Sequence, residues 1–347
     1  MTAPTESSAN PFGWALVGPG RIARRFAEAV DRLPAARLVV VQGRELGRAR
    51  QFAEAWSRTG RAPVQASTDL AAALARPDVE GVYIATPHPF HAEAIRAALL
   101  AGKAVLCEKP LVTSAAAARP LVELARQRGV LLMEALWTRF LPAYAQVARW
   151  LDEGAIGAVR GLQSSFSFRV PFDPADRIFD PALAGGALLD LGVYNLSMTQ
   201  WLIGRASGAR CPEPEAMHIQ GGLAPTGVDS RVWGMLGFPG GIVSQFTCGS
   251  DGAADNGLRL SGEQGHIVVP REFWQATEAQ LWRAGAEPEV VPAPFAINGF
   301  EGQIEEAMRC ARAGLVESPT IPHADTLAVL GWMDAIRGRL GVRYAFD

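Results

Sequence analysis

Three short stretches of this sequence carry groups able to move a proton or hold an anion. They are Thr86-Pro87-His88-Pro89-Phe90-His91, Cys107-Glu108-Lys109-Pro110 and Gly185-Gly186-Ala187-Leu188-Leu189-Asp190-Leu191-Gly192-Val193-Tyr194. An ammonium such as Lys109, set beside an alcohol, can position the hydroxyl and stabilise the developing alkoxide, or lower the pKa of a neighbouring base. A surface ion pair with Glu108 is the plainer alternative. Asp190 and Tyr194 stand four residues apart in an apolar run, so one helical face would present a carboxylate and a phenol together. A phenol with a pKa near ~10 is a poor base at neutral pH, and a cation such as Lys109 would favour its phenolate. Against this, Asp190 as a helix cap and Tyr194 as a core residue satisfy the same pattern. For His88 and His91, cofactor contact or substrate hydrogen bonding is preferred over acid–base work, and satisfying backbone groups is the alternative. No His/Cys/carboxylate cluster has metal spacing and no Gly-x-Ser-x-Gly elbow is present, so neither a metal centre nor a serine hydrolase is expected.

These groups need a frame. From Trp14 to Met133 short apolar runs (14–17, 38–41, 82–85, 104–106 and 130–133) alternate with helical patterns (22–30, 48–56, 70–74, 92–101 and 115–128). Strand, helix, strand in repetition predicts a parallel sheet with right-handed crossovers, an α/β Rossmann arrangement. Thr86–His91 and Glu108–Lys109 then fall at the carboxyl ends of strands, where open parallel sheets bind ligands. Gly18-Pro19-Gly20-Arg21-Ile22-Ala23 follows the first apolar run and opens the first helix. Its G-x-G-x-x-A spacing permits a tight turn, close approach of a pyrophosphate and close helix–strand packing. After the second strand the chain reads Gln42-Gly43-Arg44-Glu45. A guanidinium there can clamp a ribose 2′-phosphate, so NADP is favoured, while Glu45 keeps NAD open and a solvated turn is the bland reading.

Beyond Met133 the texture changes to α+β. Helices are predicted at 143–151, 187–202, 301–313 and 324–340, with strands at 159–168, 217–223, 231–238, 242–247, 258–261 and 266–269. Gly turns between the later strands suggest antiparallel pairing. The expected division is a tail at 1–11, a dinucleotide domain at 12–136 and a substrate and oligomerisation domain at 137–347. Trp137 and Arg139, at the seam, could pack on the nicotinamide half of a cofactor or simply fill the interdomain contact. Phe168, Arg169 and Trp274, with Phe166 and the 295–300 loop, would shape the substrate pocket, or be core.

The bulk numbers exclude several classes. In 347 residues, 33 Lys plus Arg face 35 Asp plus Glu, a net charge of −2, with no footprint for nucleic acid or an anionic membrane. Hydrophobic residues are 49% and charged residues 20% of the chain, a globular balance without an apolar run of the ~20 residues a bilayer needs. Four widely spaced cysteines suit a reducing compartment, and the small polar residues 1–10 read as a frayed tail, not a secretory signal. Cytoplasm is the default.

Taken in order, Gly18-x-Gly20-x-Ile22-Ala23, Glu108-Lys109-Pro110 and Asp190-x-Gly192-x-Tyr194 resemble the glucose–fructose oxidoreductase/inositol dehydrogenase (Gfo/Idh/MocA) family. Met133–Phe140, Gly185–Tyr194 and Glu317-Ser318-Pro319-x-Ile321-Pro322 look like its dimeric dihydrodiol and NADP-dependent xylose dehydrogenases. The resemblance implies a Rossmann domain followed by a large, open, mostly antiparallel sheet whose exposed face pairs subunits into homodimers or homotetramers. It also implies hydride transfer between NADP and a hydroxyl or carbonyl of a sugar or cyclic diol. Lys109, Asp190 and Tyr194 would be the catalytic residues, His91 a histidine near the site, and Lys109–Pro110 a cis bond. Gln42-Gly43 departs from the small hydroxyl residue that often precedes the arginine. Three rivals remain: glycoside cleavage through transient oxidation by held NAD, a non-catalytic NADP-binding regulator, and reduction in the cell with a keto-sugar as the true substrate.

Overall fold

The computed structural model of the chain describes residues 10–346 apart from 61 and 209, so positions 1–9 of the expected tail lie outside the described residues. The first six strands are β1 (Phe12–Val17), β2 (Ala36–Gln42), β3 (Gln65–Ser67), β4 (Gly81–Ile84), β5 (Ala104–Glu108) and β6 (Leu132–Ala135). They form one parallel sheet in the order β3-β2-β1-β4-β5-β6. Strands β1, β4, β5 and β6 are buried throughout, which is why they read as unbroken apolar runs. The crossovers are α1 (Arg21–Arg32), α2 (Leu46–Ala55), α3 (Leu70–Leu74), α4 (His91–Leu100) and α5 (Ala115–Arg128). The strand order reverses between β1 and β4, the switch point at which open α/β sheets leave a ligand crevice. Strand β3 was not anticipated: three half-exposed residues carry no period. The last apolar run lies two residues later than expected, because Glu134 is drawn into β6 as a buried carboxylate.

After α6 (Pro142–Asp152) come β7 (Val159–Ser167), α7 (Val193–Ala206), β8 (Ala216–Leu223), β9 (Asp229–Phe238), β10 (Ile242–Gly249), β11 (Leu258–Gly262) and β12 (Gly265–Val269). Then β13 (Glu278–Arg283), β14 (Glu289–Pro292), α8 (Glu301–Arg312) and α9 (His323–Leu340) complete the chain. Eight strands join in the order β14-β13-β12-β11-β7-β10-β9-β8. All neighbours are antiparallel except β7 and β10, which run parallel because α7 and two further strands intervene between them. Strands β13 and β14 escaped the sequence reading, since their alternation is diluted by Glu, Gln and Arg.

One face of this sheet is covered by α7 and α9. Buried Asn195 donates to Ser164 Oγ at 2.9 Å, and Thr199 shares a 2.8 Å hydrogen bond with Ser244, so polar pairs set the docking of α7. Where one helix was expected from 187, Leu188–Gly192 forms a π-turn that leads into α7. Such turns widen a helix by one residue and are frequent at functional sites. Among the described residues no helix is long and apolar enough to cross a membrane.

Candidate active site

The turn after β1 is built for an anion. Gly18 has φ +90°, and a Cβ there would stand 2.9 Å from the backbone of Ala85 and Thr86, so the turn lies flush on the chain leaving β4. Helix α1 then starts with Gly20 at its cap, no side-chain cap bond and no acidic residue in its first turn. Its first N–H groups are free to bind phosphate. Ala23 is fully buried, letting α1 pack close, while Arg21 and Ile22 stay exposed at the rim. Gly43 packs against Pro19 of this turn, and exposed Arg44 reaches over the Phe90 ring at 5.9 Å. Pro87 leads the short helical turn that carries His88. Thr86 Oγ1 and His88 Nδ1 are buried there without a hydrogen-bond partner. A bare helix start, two orphaned polar atoms and an exposed guanidinium fit the pyrophosphate, nicotinamide side and 2′-phosphate of NADP.

Beside this cradle, at the end of β5, Lys109 reaches across to the π-turn. Its Nζ donates to Asp190 Oδ1 at 2.9 Å and to the Asp190 carbonyl at 2.7 Å, and lies 5.2 Å from the centre of the Tyr194 ring. Arg177 donates to Asp190 Oδ2 at 2.8 Å, leaving the carboxylate between two cations. Trp137 Nε1 donates to Tyr194 Oη at 3.2 Å. The Lys109–Pro110 peptide is cis.

The electrostatics follow from burial and partners. Burial alone would raise the Asp190 pKa, but Lys109, Arg177 and His88 together hold it well below the usual carboxylate range. Burial would lower the Lys109 ammonium, yet Asp190 and Tyr194 keep it above its ordinary value. Burial pushes the Tyr194 phenol up to about 12, with Lys109 opposing the rise. The apposed groups at neutral pH are therefore an ammonium, a carboxylate and a protonated phenol.

Other expected site residues lie elsewhere. Glu108 is buried and its carboxylate accepts from the Tyr83 hydroxyl, so its hydrogen bonding is committed in the domain core while its charge still acts on Lys109 and Tyr194. Both ring nitrogens of His91 face backbone carbonyls, of Thr86 at 2.8 Å and of Pro110 and Leu111 at 3.1 and 3.2 Å, and the imidazole, kept neutral by burial, donates from one of them. It ties the cradle loop to the lysine segment, the backbone-satisfying role. Arg139 is buried against Asp325, Thr320, Ser197 and Gln200, which commit both of its terminal nitrogens. All four partners lie in the second half of the chain, so Arg139 is packing within that half and spends its terminal nitrogens away from the anion-binding turn. Trp137 likewise gives its N–H to Tyr194 and one ring face to Arg25, not to the cradle. Trp274 stacks on Phe166, centroids 3.4 Å apart, and Phe166 lies 5.6 Å from Tyr194, so an apolar wall adjoins the phenol. Phe168 flanks Phe166 and is 40% exposed, while Arg169 is exposed and makes no ion pair among the described residues.

Two residues of the cluster were missed. Arg177 sits in a loop rich in Pro and Asp, where no periodicity marks a contact with Asp190. Arg25 follows the motif one turn later in α1, where the sequence does not show that its side chain reaches Trp137 and the 295–300 loop. Only the fold brings either to the site.

The comparisons with known proteins agree with this geometry. Residues 12–136 match the family model described as "Oxidoreductase family, NAD-binding Rossmann fold", and residues 144–268 match the GFO/IDH/MocA C-terminal domain. The chain is 33% identical over 342 residues to the human trans-1,2-dihydrobenzene-1,2-diol dehydrogenase, covering 96% of this chain and 98% of that one. With the rabbit (Oryctolagus cuniculus) enzyme of the same name the identity is 35% over 340 residues, covering 96% and 99%. A 3-ketoreductase from Actinomadura kijaniata, solved with NADP and TDP-benzene, superposes with a TM-score of 0.79 at 29% identity over 95% of this chain and 98% of that one. An aldose-aldose oxidoreductase from Caulobacter crescentus shares the fold at a TM-score of 0.83 and 24% identity, over 96% and 98%. With both family models matched in order and relatives aligned end to end, this chain belongs to the Gfo/Idh/MocA oxidoreductase family.

Proposed function

We propose that the protein is an NADP-dependent oxidoreductase acting on a CH–OH group, or the corresponding carbonyl, of a sugar or cyclic diol, with Lys109, Asp190 and Tyr194 as its catalytic residues. The observation that carries this is the meeting of Lys109, from the end of β5, with Asp190 and Tyr194 from the second sheet's helix, beside an anion-binding turn. When bound, the nicotinamide accepts or supplies the hydride. Tyr194 moves the proton of the substrate oxygen. Lys109 holds that oxygen and offsets the charge that develops on it, and Asp190 holds the ammonium in place, so orientation and fixed charge supply the rate. Phe166 and Trp274 give the site an apolar wall that excludes water. The wall suits the carbocyclic substrate of the dihydrodiol relatives as well as a sugar ring.

Held at about 12, the Tyr194 phenol is protonated at neutral pH, the form that gives its proton to a carbonyl oxygen in reduction; in oxidation it must first lose that proton, a cost that Lys109 opposes. The four cysteines are free and buried, in keeping with cytoplasmic residence. The open face of the second sheet supports a homodimer or homotetramer.

The test is near-ultraviolet absorbance of reduced nicotinamide, with NADP and then NAD, across pentoses, hexoses, anhydrosugars and aromatic dihydrodiols. Net NADP reduction by at least one of them is expected. Product without net cofactor reduction would shift the reading to transient oxidation, and tight NADP binding with no turnover across the panel would favour a regulatory protein. Tyr194→Phe should lower kcat by at least ~100-fold, the usual contribution of a proton-transfer group.

A further inference from the structure

Helix α1 contributes more than its first turn. Arg25, one turn in, is half-buried, and its guanidinium lies 4.3 Å above the centre of the Trp137 ring and 5.3 Å from that of Phe300. Its Nε and Nη2 both donate to the Asn298 carbonyl, at 2.9 and 2.5 Å, and Nη1 donates to Gln275 Oε1 at 3.4 Å. The tie is reciprocal: Asn298 Nδ2 donates to the Arg25 carbonyl and to Glu28 Oε2, both at 2.9 Å. Glu301 receives the N–H groups of Ile297, Asn298 and Gly299, which makes the loop before α8 rigid. Gly299, at φ +90°, lies so close to Trp137 that a Cβ would stand 2.6 Å from the indole. The indole is therefore fixed from one side by a cation and along its edge by a stiff loop. Its only polar atom is spent on Tyr194.

We propose that Arg25 is a positioning residue for the Tyr194 hydroxyl. It holds Trp137 so that the indole N–H points at the phenol oxygen, and its own charge favours the phenolate through the ring between them. The helix that receives a pyrophosphate and the phenol that moves a proton thereby become one connected unit. A guanidinium over an indole is attracted to the ring face and polarises the N–H toward an acceptor. The titratable groups around the phenol are Lys109, Asp190 and Glu108, with Tyr83 nearby. Glu28 and Glu301 flank Arg25, whose charge senses Tyr194. Asp190 is shared between Lys109 and Arg177, so Lys109 keeps its pull on the phenol, and Arg25 adds a cation on the other side of the indole.

The proposal rests on Tyr194 as the proton carrier for its meaning, but its test does not depend on turnover. The chain has four tyrosines, so the full-length protein labelled with 3-fluorotyrosine gives few fluorine resonances, and Tyr194→Phe assigns the one from position 194. Arg25→Met should shift that resonance and raise its titration midpoint by about half a unit, below the one to three units of a charge in direct contact. Arg25→Lys, which keeps the charge, should restore most of the midpoint. Trp137→Phe should raise it too, and adding Arg25→Met should then change it by less than Arg25→Met alone. An unchanged resonance and midpoint in Arg25→Met, or additive effects with Trp137→Phe, would overturn the proposal. Should Arg25→Met fail to fold, Trp137→Phe and Arg25→Lys still decide, because an unmoved midpoint in Trp137→Phe breaks the link through the indole. A Tyr194→Phe enzyme with undiminished turnover would end the proton-carrier reading and leave the fluorine result standing.

Discussion

At the scale of single residues, the site is a set of charges arranged around one phenol. Removing the ammonium is the sharpest probe. Lys109→Met should lower kcat by more than ~1000-fold, since it removes both the oxygen's anchor and the countercharge. NADP affinity, measured by fluorescence titration, should stay within a few-fold, and normal turnover would refute the assignment. Arg44 makes a separate prediction. It is exposed, with the Phe90 ring as its one close cation–π partner among the described residues, so its donors are available to a 2′-phosphate. Arg44→Ser should weaken NADP by ~10–100-fold, the worth of a charge-assisted hydrogen bond, while NAD changes little. Equal losses for both would place the guanidinium outside the phosphate site. At this scale the sequence is informative about residue types and weak about partners. Lys109, Asp190 and Tyr194 could be named together from their motifs, whereas Arg177 could not. Glu108 and Arg139 could not be sorted from them, because a charged residue next to a motif does not reveal which way its side chain turns.

At the scale of elements, the π-turn is the piece that places Asp190 and starts α7. It is held from below by Asp229 at the head of β9, whose Oδ2 accepts from the Leu188 N–H at 2.6 Å. Asp229 Oδ1 is buried with no hydrogen-bond partner among the described residues, and burial raises this carboxyl to about 6 against the pull of backbone N–H groups. A folded pKa above the unfolded value of ~3.9 means that the native state binds the proton more tightly. This group therefore costs stability above pH 6 and releases that cost as pH falls toward 4. Against an Asp229→Asn variant, wild type should gain about 1 kcal/mol between pH 7 and pH 5 in urea unfolding. A gap that does not change with pH would show that Asp229 titrates normally. The run 187–202 reads as one plain helix in sequence, since a widened turn changes the hydrogen-bond partner and leaves the apolar pattern intact. Strands β3, β13 and β14 were illegible for the opposite reason, having too few apolar positions to show a period.

At the scale of the whole molecule, the second sheet leaves one face open. A groove of about 1200 Å³ runs there, lined by residues such as Met217, Ile219, Trp233, Met235 and Phe246, and Lys109, Asp190 and Tyr194 are not among its lining residues. Trp233 is 61% exposed and Met235 37%. Apolar side chains gathered on one flat face suit a self-complementary subunit contact. Trp233→Glu should convert an oligomer to monomer in sedimentation velocity, and a wild type that sediments as a monomer at micromolar concentration would rule the contact out. What the sequence determined by itself was the alternating frame of the first half, the glycine turn that opens α1, the three residue types proposed for catalysis and the family likeness. All of these reside in local pattern, where neighbours in the chain are neighbours in space. Only the tertiary structure decided that Lys109 pairs with Asp190 and not Glu108, that Arg177 completes the carboxylate's surroundings, and that the Trp137 indole, under the Arg25 guanidinium, meets the phenol. Those contacts join segments from 13 to more than 270 residues apart, and their partners are chosen by burial and by which polar atoms the packed core leaves to be satisfied.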